Sequence, residues 1–198
     1  MPMKKILFIF VLICLVIFGI SYYIFWDNGN NKTINQDKIA DKVLKRFKNY
    51  EAKISVCVIS NKNENYYEMN QFVTEDSMKM IINLPDNLRG IIIENDSNVL
   101  KILNTTLNME KVYENYGLLV NNALFLNTIE KDAKLNGFSL DKEEREVILK
   151  VKLQDSGSTY VKYKELYLDE NYNPKKMIIK DDTQNVRIRI IYTDIKFK

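Results

Sequence analysis

An uninterrupted apolar run near the N-terminus constrains the topology of the whole chain. No charged residue occurs from Ile6 to Trp26, a stretch of 21 residues. An α-helix needs about 20 mainly apolar residues to cross a bilayer. Lys4 and Lys5 precede the run, and aromatic residues close it. The positive flank predicts a cytoplasmic N-terminus, so we expect the rest of the chain outside the cytoplasm.

Two other interpretations of this segment stay open. A cleaved secretory signal has a shorter apolar stretch and small residues at its cleavage site, whereas bulky aromatic residues follow Gly19 and Ser21. A lipoprotein would need a small residue before its lipidated cysteine, but three bulky apolar residues precede Cys14. We therefore expect an uncleaved membrane anchor over residues 1–26, followed by a polar linker over residues 27–35.

Residues 36–198 have the length and composition of one extracytoplasmic globular domain. Hydrophobic residues make up 46% of the chain and charged residues 28%, which is typical of a protein with a buried core. Without Lys4 and Lys5, 27 basic residues face 26 acidic ones. This near-neutral balance lacks the basic surface of a nucleic-acid-binding protein.

The residue inventory argues against an enzyme with a metal or other cofactor. The sequence contains no histidine, which removes the commonest general base and metal ligand. Its two cysteines are Cys14, inside the apolar run, and Cys57. Neither a disulfide framework nor a cysteine zinc site is expected from them.

The hydrophobic period changes near Tyr50. Before it, Ile39, Val43 and Phe47 recur at helical spacing and predict a helix over Gln36–Tyr50. After it, apolar residues alternate with polar ones, as in β-strands with one packed face. The predicted strands are Ile54 to Val58, Tyr66 to Thr74, Met78 to Leu84, Gly90 to Glu94, Val99 to Asn104, Glu146 to Leu153, Tyr160 to Leu168, Lys175 to Lys180 and Asn185 to Ile195.

A leucine-rich stretch interrupts the strands. Tyr113–Lys134 has few β-branched residues and predicts one or two helices, with Gly137 as a stop signal. Short polar turns join the strands on either side, which favours antiparallel pairing. The predicted fold class is α+β and mainly antiparallel, with helices covering one face of a curved sheet.

Several charged and aromatic groups are candidate sites, but surface roles explain them better. The acidic pairs Asp181–Asp182 and Glu143–Glu144 lie in turn-like stretches and are expected to be solvated. The segment Asp96–Leu107 lacks the glycine and glutamate of a calcium loop. Arg187 and Arg189, next to Lys162 and Lys164, could form a basic stripe, and a solvated sheet face is favoured over a ligand site.

Tyrosine is abundant, and six tyrosines fall in predicted strands. We expect them to pack on the sheet with their hydroxyls at its rim, and a protein-contact surface is the functional alternative. No residue stands out as catalytic or cofactor-binding, and partner-contact residues are unknown from sequence. The six are Tyr66, Tyr67, Tyr160, Tyr163, Tyr167 and Tyr192.

A set of residues from about Asp37 onward matches a known family. They are Phe47–Tyr50, Val56–Ser60, Asn61–Asn63, Tyr66, Gln71, Pro85, Leu88, Gly90, Ile102–Leu107 with Asn104, Tyr113, Tyr116, Asn121 and Leu124–Leu126. With these residues the sequence resembles the germination lipoprotein GerS family of spore-forming clostridia. Within a wider class, it also resembles carriers of the lipoprotein-sorting type, whose half-barrel sheet is covered by helices.

The resemblance implies a non-enzymatic sporulation and germination protein. Members of the family bind and activate a zinc-dependent N-acetylmuramoyl-L-alanine amidase that modifies spore cortex peptidoglycan, and the zinc belongs to that partner. The implied location is the space between the forespore and mother-cell membranes. A departure from the family is Cys14, which lacks a lipidation motif, so a spanning helix would replace the lipid anchor.

The sequence leaves two alternative functions and one possible oligomeric state open. The half-barrel would also suit a lipid or lipoprotein carrier that encloses acyl chains. A hydrolase in its own right is disfavoured by the missing catalytic groups. Exposed edge strands would allow a strand-exchanged homodimer.

Overall fold

The computed structural model describes residues 41–96, 99–114, 121–142, 145–153 and 160–198. Val43–Lys198 form one compact unit. Within the described ranges, no helix has both the length and the apolar character needed to cross a membrane. The predicted anchor (1–26) and linker (27–35) lie outside the described residues.

One open sheet of eleven strands dominates the unit, and every neighbouring pair of strands is antiparallel. This confirms the prediction of a mainly antiparallel fold. The strands are β1 Tyr50–Ile59, β2 Glu64–Val73, β3 Ser77–Leu84, β4 Ile91–Asp96, β5 Val99–Asn104, β6 Met109–Tyr113, β7 Phe138–Lys142, β8 Val147–Lys152, β9 Tyr163–Leu168, β10 Pro174–Lys180 and β11 Val186–Phe197.

The strand order is β6-β5-β4-β3-β2-β1-β11-β10-β9-β8-β7. Hairpins run outward on both sides from the central pair β1–β11, which leaves β6 and β7 at the two edges. The chain leaves one edge at Tyr113 and returns at the other with Phe138. The connection between them therefore has to pass over the sheet.

Four helical segments accompany the sheet within the described ranges, and one of them is a 3-10 helix at Asp86–Leu88 after β3. The first, α1, is described over residues 41–46, and α2 spans Thr128–Asn136. A 3-10 helix, Asn121–Leu124, precedes α2 in the connection between the edges. We call residues 121–137 the crossing segment.

The core lies on the sheet face that carries Tyr50, Ile54 and Val56, here called the inner face; the opposite face is the outer face. Phe47, which follows α1, stacks on Phe197 of this face with ring centroids 5.9 Å apart. Burying each large apolar side chain stabilises a fold by about 1.5–3 kcal/mol. The largest fully buried side chains are Tyr50, Phe47, Lys164, Ile54, Met80, Leu100, Leu126, Ile129, Leu149, Leu166, Leu168 and Met177.

Three predictions of secondary structure need correction. The helix predicted to end at Tyr50 gives way to a turn at residues 47–48, and Tyr50 begins β1. Two short edge strands, β6 and β7, were not predicted. Only Asn121–Leu124 and α2 are helical within the described part of the predicted Tyr113–Lys134 helical stretch. Gly137 follows the last residue of α2, as predicted.

Candidate functional site

The crossing segment is fixed to the inner face by a buried hydrogen-bond network. The Tyr50 hydroxyl donates to Gln71 Oε1 at 3.1 Å and accepts from the Leu126 backbone N–H at 3.1 Å. Gln71 Nε2 donates to the Leu124 carbonyl at 3.1 Å. Tyr50 and Gln71 have no exposed surface. Two strands and the crossing segment thus satisfy one another's buried polar groups.

A second buried network surrounds Lys164, which is 1% exposed on β9. Its Nζ donates to Thr128 Oγ1 at 2.5 Å and to the Phe125 carbonyl at 3.4 Å, and it lies 3.8 Å from Asp132 Oδ2. Burial lowers the pKa of Lys164 to about 8, although the Asp132 carboxylate acts in the opposite direction. This ammonium therefore holds the start of α2 against the sheet.

The inner face is packed by the protein's own side chains beneath the crossing segment. Leu126 and Ile129 of that segment are fully buried, as are Ile54, Leu166 and Met177 of the strands below. An acyl chain at this position would have to displace these side chains and break both networks. The packing gives no support to the carrier alternative.

The predicted basic stripe is wrong. Lys164 shares the inner face with Leu166 and Leu168, two and four residues further along β9. Arg189 pairs with Ile178 and Cys57 on the outer face. The cations therefore lie on opposite faces of the sheet. Lys164, Leu166 and Leu168 alternate along the strand and so share one face. This spacing was the sequence signal that could have predicted a buried Lys164.

The acidic pairs, which were expected to be solvated, include one buried carboxylate. Asp181 is buried at 3% exposure, so the expectation of a solvated carboxylate is wrong for it, whereas Asp182 is exposed. Burial alone would raise the pKa of Asp181, but hydrogen bonds from Thr183, Asn185 and Arg187 lower it to about 2. Residues 143–144 lie outside the described residues. Within the described ranges, no three acidic or cysteine side chains meet in a way that could hold a metal ion.

The outer face carries a groove of about 580 Å³ over β1. Its floor contains Ser55 and Cys57, and Leu84 and Pro85 belong to its wall. Cys57 is a free, buried thiol.

An exposed tyrosine borders this groove. Tyr66 is 66% exposed, and its hydroxyl donates to Glu64 Oε2, an oxygen that lies 3.7 Å from Cys57 Sγ. This hydrogen bond to the carboxylate is the main cause that raises the pKa of Tyr66 to about 12. The predicted contact role for tyrosine therefore has a structural candidate here.

The β6 edge is a second exposed apolar surface. All five residues of β6 are exposed. An edge strand with exposed apolar side chains is a template for pairing with another strand, so the homodimer stays a prediction. The exposed apolar residues of this hairpin and its surroundings are Val99, Leu107, Met109, Val112 and Tyr113.

Comparison with known proteins gives structural matches only. No family model matches the chain, and no curated protein matches it. The GerS lipoprotein, solved in complex with the CwlD amidase from Clostridioides difficile, is 21% identical and covers 85% of this chain and 95% of its own, with a TM-score of 0.53. The chain has the GerS fold.

Two further matches differ more in sequence. An uncharacterized conserved protein from Thermus thermophilus is 12% identical, covers 83% of this chain and 88% of its own, and has a TM-score of 0.53. An outer membrane lipoprotein-sorting protein domain from Vibrio parahaemolyticus is 12% identical, covers 81% and 91%, and has a TM-score of 0.47.

Several residues that carry the resemblance to GerS have structural roles in this fold. Tyr50, Gln71 and the Leu124–Leu126 segment form the buried network over the inner face. Gly90 has a positive φ of 82°, and Asn104 Oδ1 accepts two backbone N–H groups in the turn after β5. All of these contacts lie within the chain, so they stabilise the fold and identify no partner-binding residue.

Proposed function

We propose that this chain is a non-enzymatic, membrane-anchored protein that binds and activates a cell-wall N-acetylmuramoyl-L-alanine amidase during spore cortex modification. The observation that carries the proposal is the likeness to GerS, which was solved bound to the CwlD amidase. The likeness extends over nearly the whole GerS chain and includes both halves of the sheet.

A non-catalytic role is supported by the sequence and by the described geometry. The chain has no histidine, and its buried ionisable groups serve structural ends: Lys164 holds α2 and Asp181 closes a hairpin loop. The partner would supply the zinc and the hydrolytic groups, and this chain would supply a rigid binding surface.

The uncharged run Ile6–Trp26 supports anchoring at a membrane with the sheet domain on the extracytoplasmic side. For a protein acting on the cortex, that side is the space between the forespore and mother-cell membranes. Anchoring would confine the amidase partner to the membrane surface and raise its effective concentration there.

Binding to the amidase tests the proposal. The full-length chain, purified in detergent, is titrated against a purified zinc-loaded cell-wall amidase, and cleavage of peptidoglycan is measured with and without the chain. We expect a saturable complex and faster cleavage, with no cleavage by the chain alone. An unrelated membrane-anchored protein in the same detergent is the control. Absence of a complex, or cleavage by the chain alone, would contradict the proposal.

A further inference from the structure

The groove on the outer face follows from side-chain size along three adjacent strands. Cys57 on β1 lies between Tyr66 of β2 and Arg189 of β11, and Ser55 lies between Glu68 and Ile191 in the next row. The central strand thus carries small side chains, and both neighbouring strands carry large ones. This size difference makes a trough that runs along β1 for about 7 Å between the two rows.

The turn after β3 adds height to the wall on one side of the trough. Leu84 pairs with Glu68, and the turn at Pro85 and Asp86 continues beside it. Leu84 and Pro85 are half-buried, and Ile191 on the other side is 38% exposed. Apolar groups therefore line both sides of a cleft that is open to solvent.

Two opposite charges face the cleft from opposite sides. Arg189 and Glu68 are both exposed, and in the described part of the chain neither side chain makes a hydrogen bond or ion pair. Some other outer-face charges are engaged: Lys79 pairs with Glu94 at 2.8 Å, and Lys180 pairs with Glu165 at 2.7 Å. The two charges beside the apolar trough are thus open to an incoming ligand.

We propose that this outer-face groove is the docking site for an extended segment of the amidase. The segment places a bulky apolar side chain over Ser55 and Cys57, a carboxylate toward Arg189 and a cationic side chain toward Glu68. This inference rests on the proposed function, because it names the surface that the amidase contacts.

Charge complementarity and size favour a protein segment as the occupant. A volume of about 580 Å³ holds one or two large side chains, in the range of ordinary ligand sites. An extended segment lying along β1 carries an apolar group with charged groups on either side of it. A free acyl chain would leave Arg189 and Glu68 unused.

Charge-reversal variants of the full-length chain test the site. Arg189→Glu and Glu68→Arg change exposed side chains, so their thermal unfolding is expected to match that of the parent chain. The matched control is Arg145→Glu, an exposed arginine just before β8 that also has no partner among the described residues. Titration of each variant with the purified zinc-loaded amidase gives the dissociation constants.

We expect Arg189→Glu and Glu68→Arg each to weaken amidase binding by about tenfold or more, and Arg145→Glu to change it less than about twofold. Equal affinity of the groove variants and the parent chain would overturn the docking site while leaving the proposed function intact. The same would follow if the control lost as much affinity as they do. If the parent chain itself does not bind the amidase, the proposed function fails and the docking site with it.

Discussion

At the scale of single residues, Gly90 shows how backbone conformation and packing jointly exclude a side chain. Its φ is 82°, and a Cβ added there would lie 2.5 Å from Thr105 Oγ1. We expect Gly90→Ala to lower the free energy of unfolding by about 2–3 kcal/mol in urea titrations. In a Thr105→Ala background the clash is absent, so the added cost of Gly90→Ala should fall to about 1–2 kcal/mol. An equal cost in both backgrounds would contradict the clash.

Two buried tyrosine hydroxyls provide a matched pair. The Tyr50 hydroxyl bonds Gln71 and Leu126, whereas the Tyr192 hydroxyl is buried without a hydrogen-bond partner among the described residues. Tyr50→Phe should destabilise the fold by about 1–3 kcal/mol, because it leaves two buried polar groups unpaired. Tyr192→Phe should be neutral or stabilising. Chemical denaturation measures both, and a larger loss for Tyr192→Phe would contradict the stabilising role of the Tyr50 hydrogen bonds.

The buried Lys164 makes stability depend on alkaline pH. Its pKa is about 8 in the folded protein and 10.5 ordinarily, so the unfolded chain binds more protons between these values. The free energy of unfolding should therefore rise with pH from 8 to 10, by up to about 3 kcal/mol.

Above pH 10 the free energy of unfolding should fall again as the pH rises. Burial raises the pKa of Tyr50, so this hydroxyl stays protonated in the folded protein while unfolded tyrosines ionise. Urea titrations from pH 7 to 10 measure the rise, and Lys164→Met should abolish it whatever its baseline stability. A rise that persists in Lys164→Met would assign the effect to another group.

At the scale of elements, two hairpin loops use the same device. Asp169 Oδ1 accepts the Asn171 and Asn173 backbone N–H groups at 2.8 Å, and Asp181 Oδ1 does the same with Thr183 and Asn185 at 3.0 and 2.8 Å. In both loops the fourth residue has a positive φ. The five-residue pattern Asp-x-Asn/Thr-x-Asn therefore closes both hairpins that flank β10.

The second loop carries an additional contact that makes it the more sensitive one. Arg187 Nε donates to Asp181 Oδ2 at 2.7 Å. Asp181→Ala should lower the melting temperature by roughly 4–8 °C, and Asp169→Ala by less. Because hydrogen bonds lower the pKa of Asp181 to about 2, its contribution is present above pH 4 and is lost as pH falls toward 2. Equal shifts for the two variants in thermal melts would contradict the role of Arg187.

The strands with one packed face were predictable from sequence, and those without one were not. In β9 and β10, alternation reflects alternating burial, so both were found within about three residues of their bounds. The edge strand β6 has five exposed residues and hence no alternation to detect. The spacing of Tyr50 from Phe47 fits a helical stripe and predicts a helical residue, although Tyr50 packs on the same core from β1.

The candidate groove could not be predicted from sequence patterns, for a different reason. Its side chains come from β1, β2 and β11, and the rows Tyr66–Cys57–Arg189 and Glu68–Ser55–Ile191 exist only through strand register. No spacing within a single segment encodes that neighbourhood. The Tyr50–Gln71–Leu126 network likewise joins three separate segments.

At the scale of the whole molecule, β11 joins the two halves of the sheet. It pairs with β1 on one side and β10 on the other, so the N-terminal and C-terminal strands of the sheet meet at its centre. The buried inner-face side chains of β11, Ile190 and Tyr192, link the inner faces of β1–β6 and β7–β10. Cooperative folding of the unit should therefore depend on the inner face of β11.

Neighbouring isoleucines in β11 test this dependence. Ile190 is fully buried on the inner face between Val56 and Met177, and Ile191 is 38% exposed on the outer face. Ile190→Asp buries a carboxylate in the shared core and should remove at least about 4 kcal/mol of stability, enough to abolish a cooperative urea transition. Ile191→Asp places the same group in solvent and should leave the transition within about 1 kcal/mol of the parent. A larger loss from Ile191→Asp than from Ile190→Asp would mean that the strand is shifted by one residue, since such a shift exchanges the two faces.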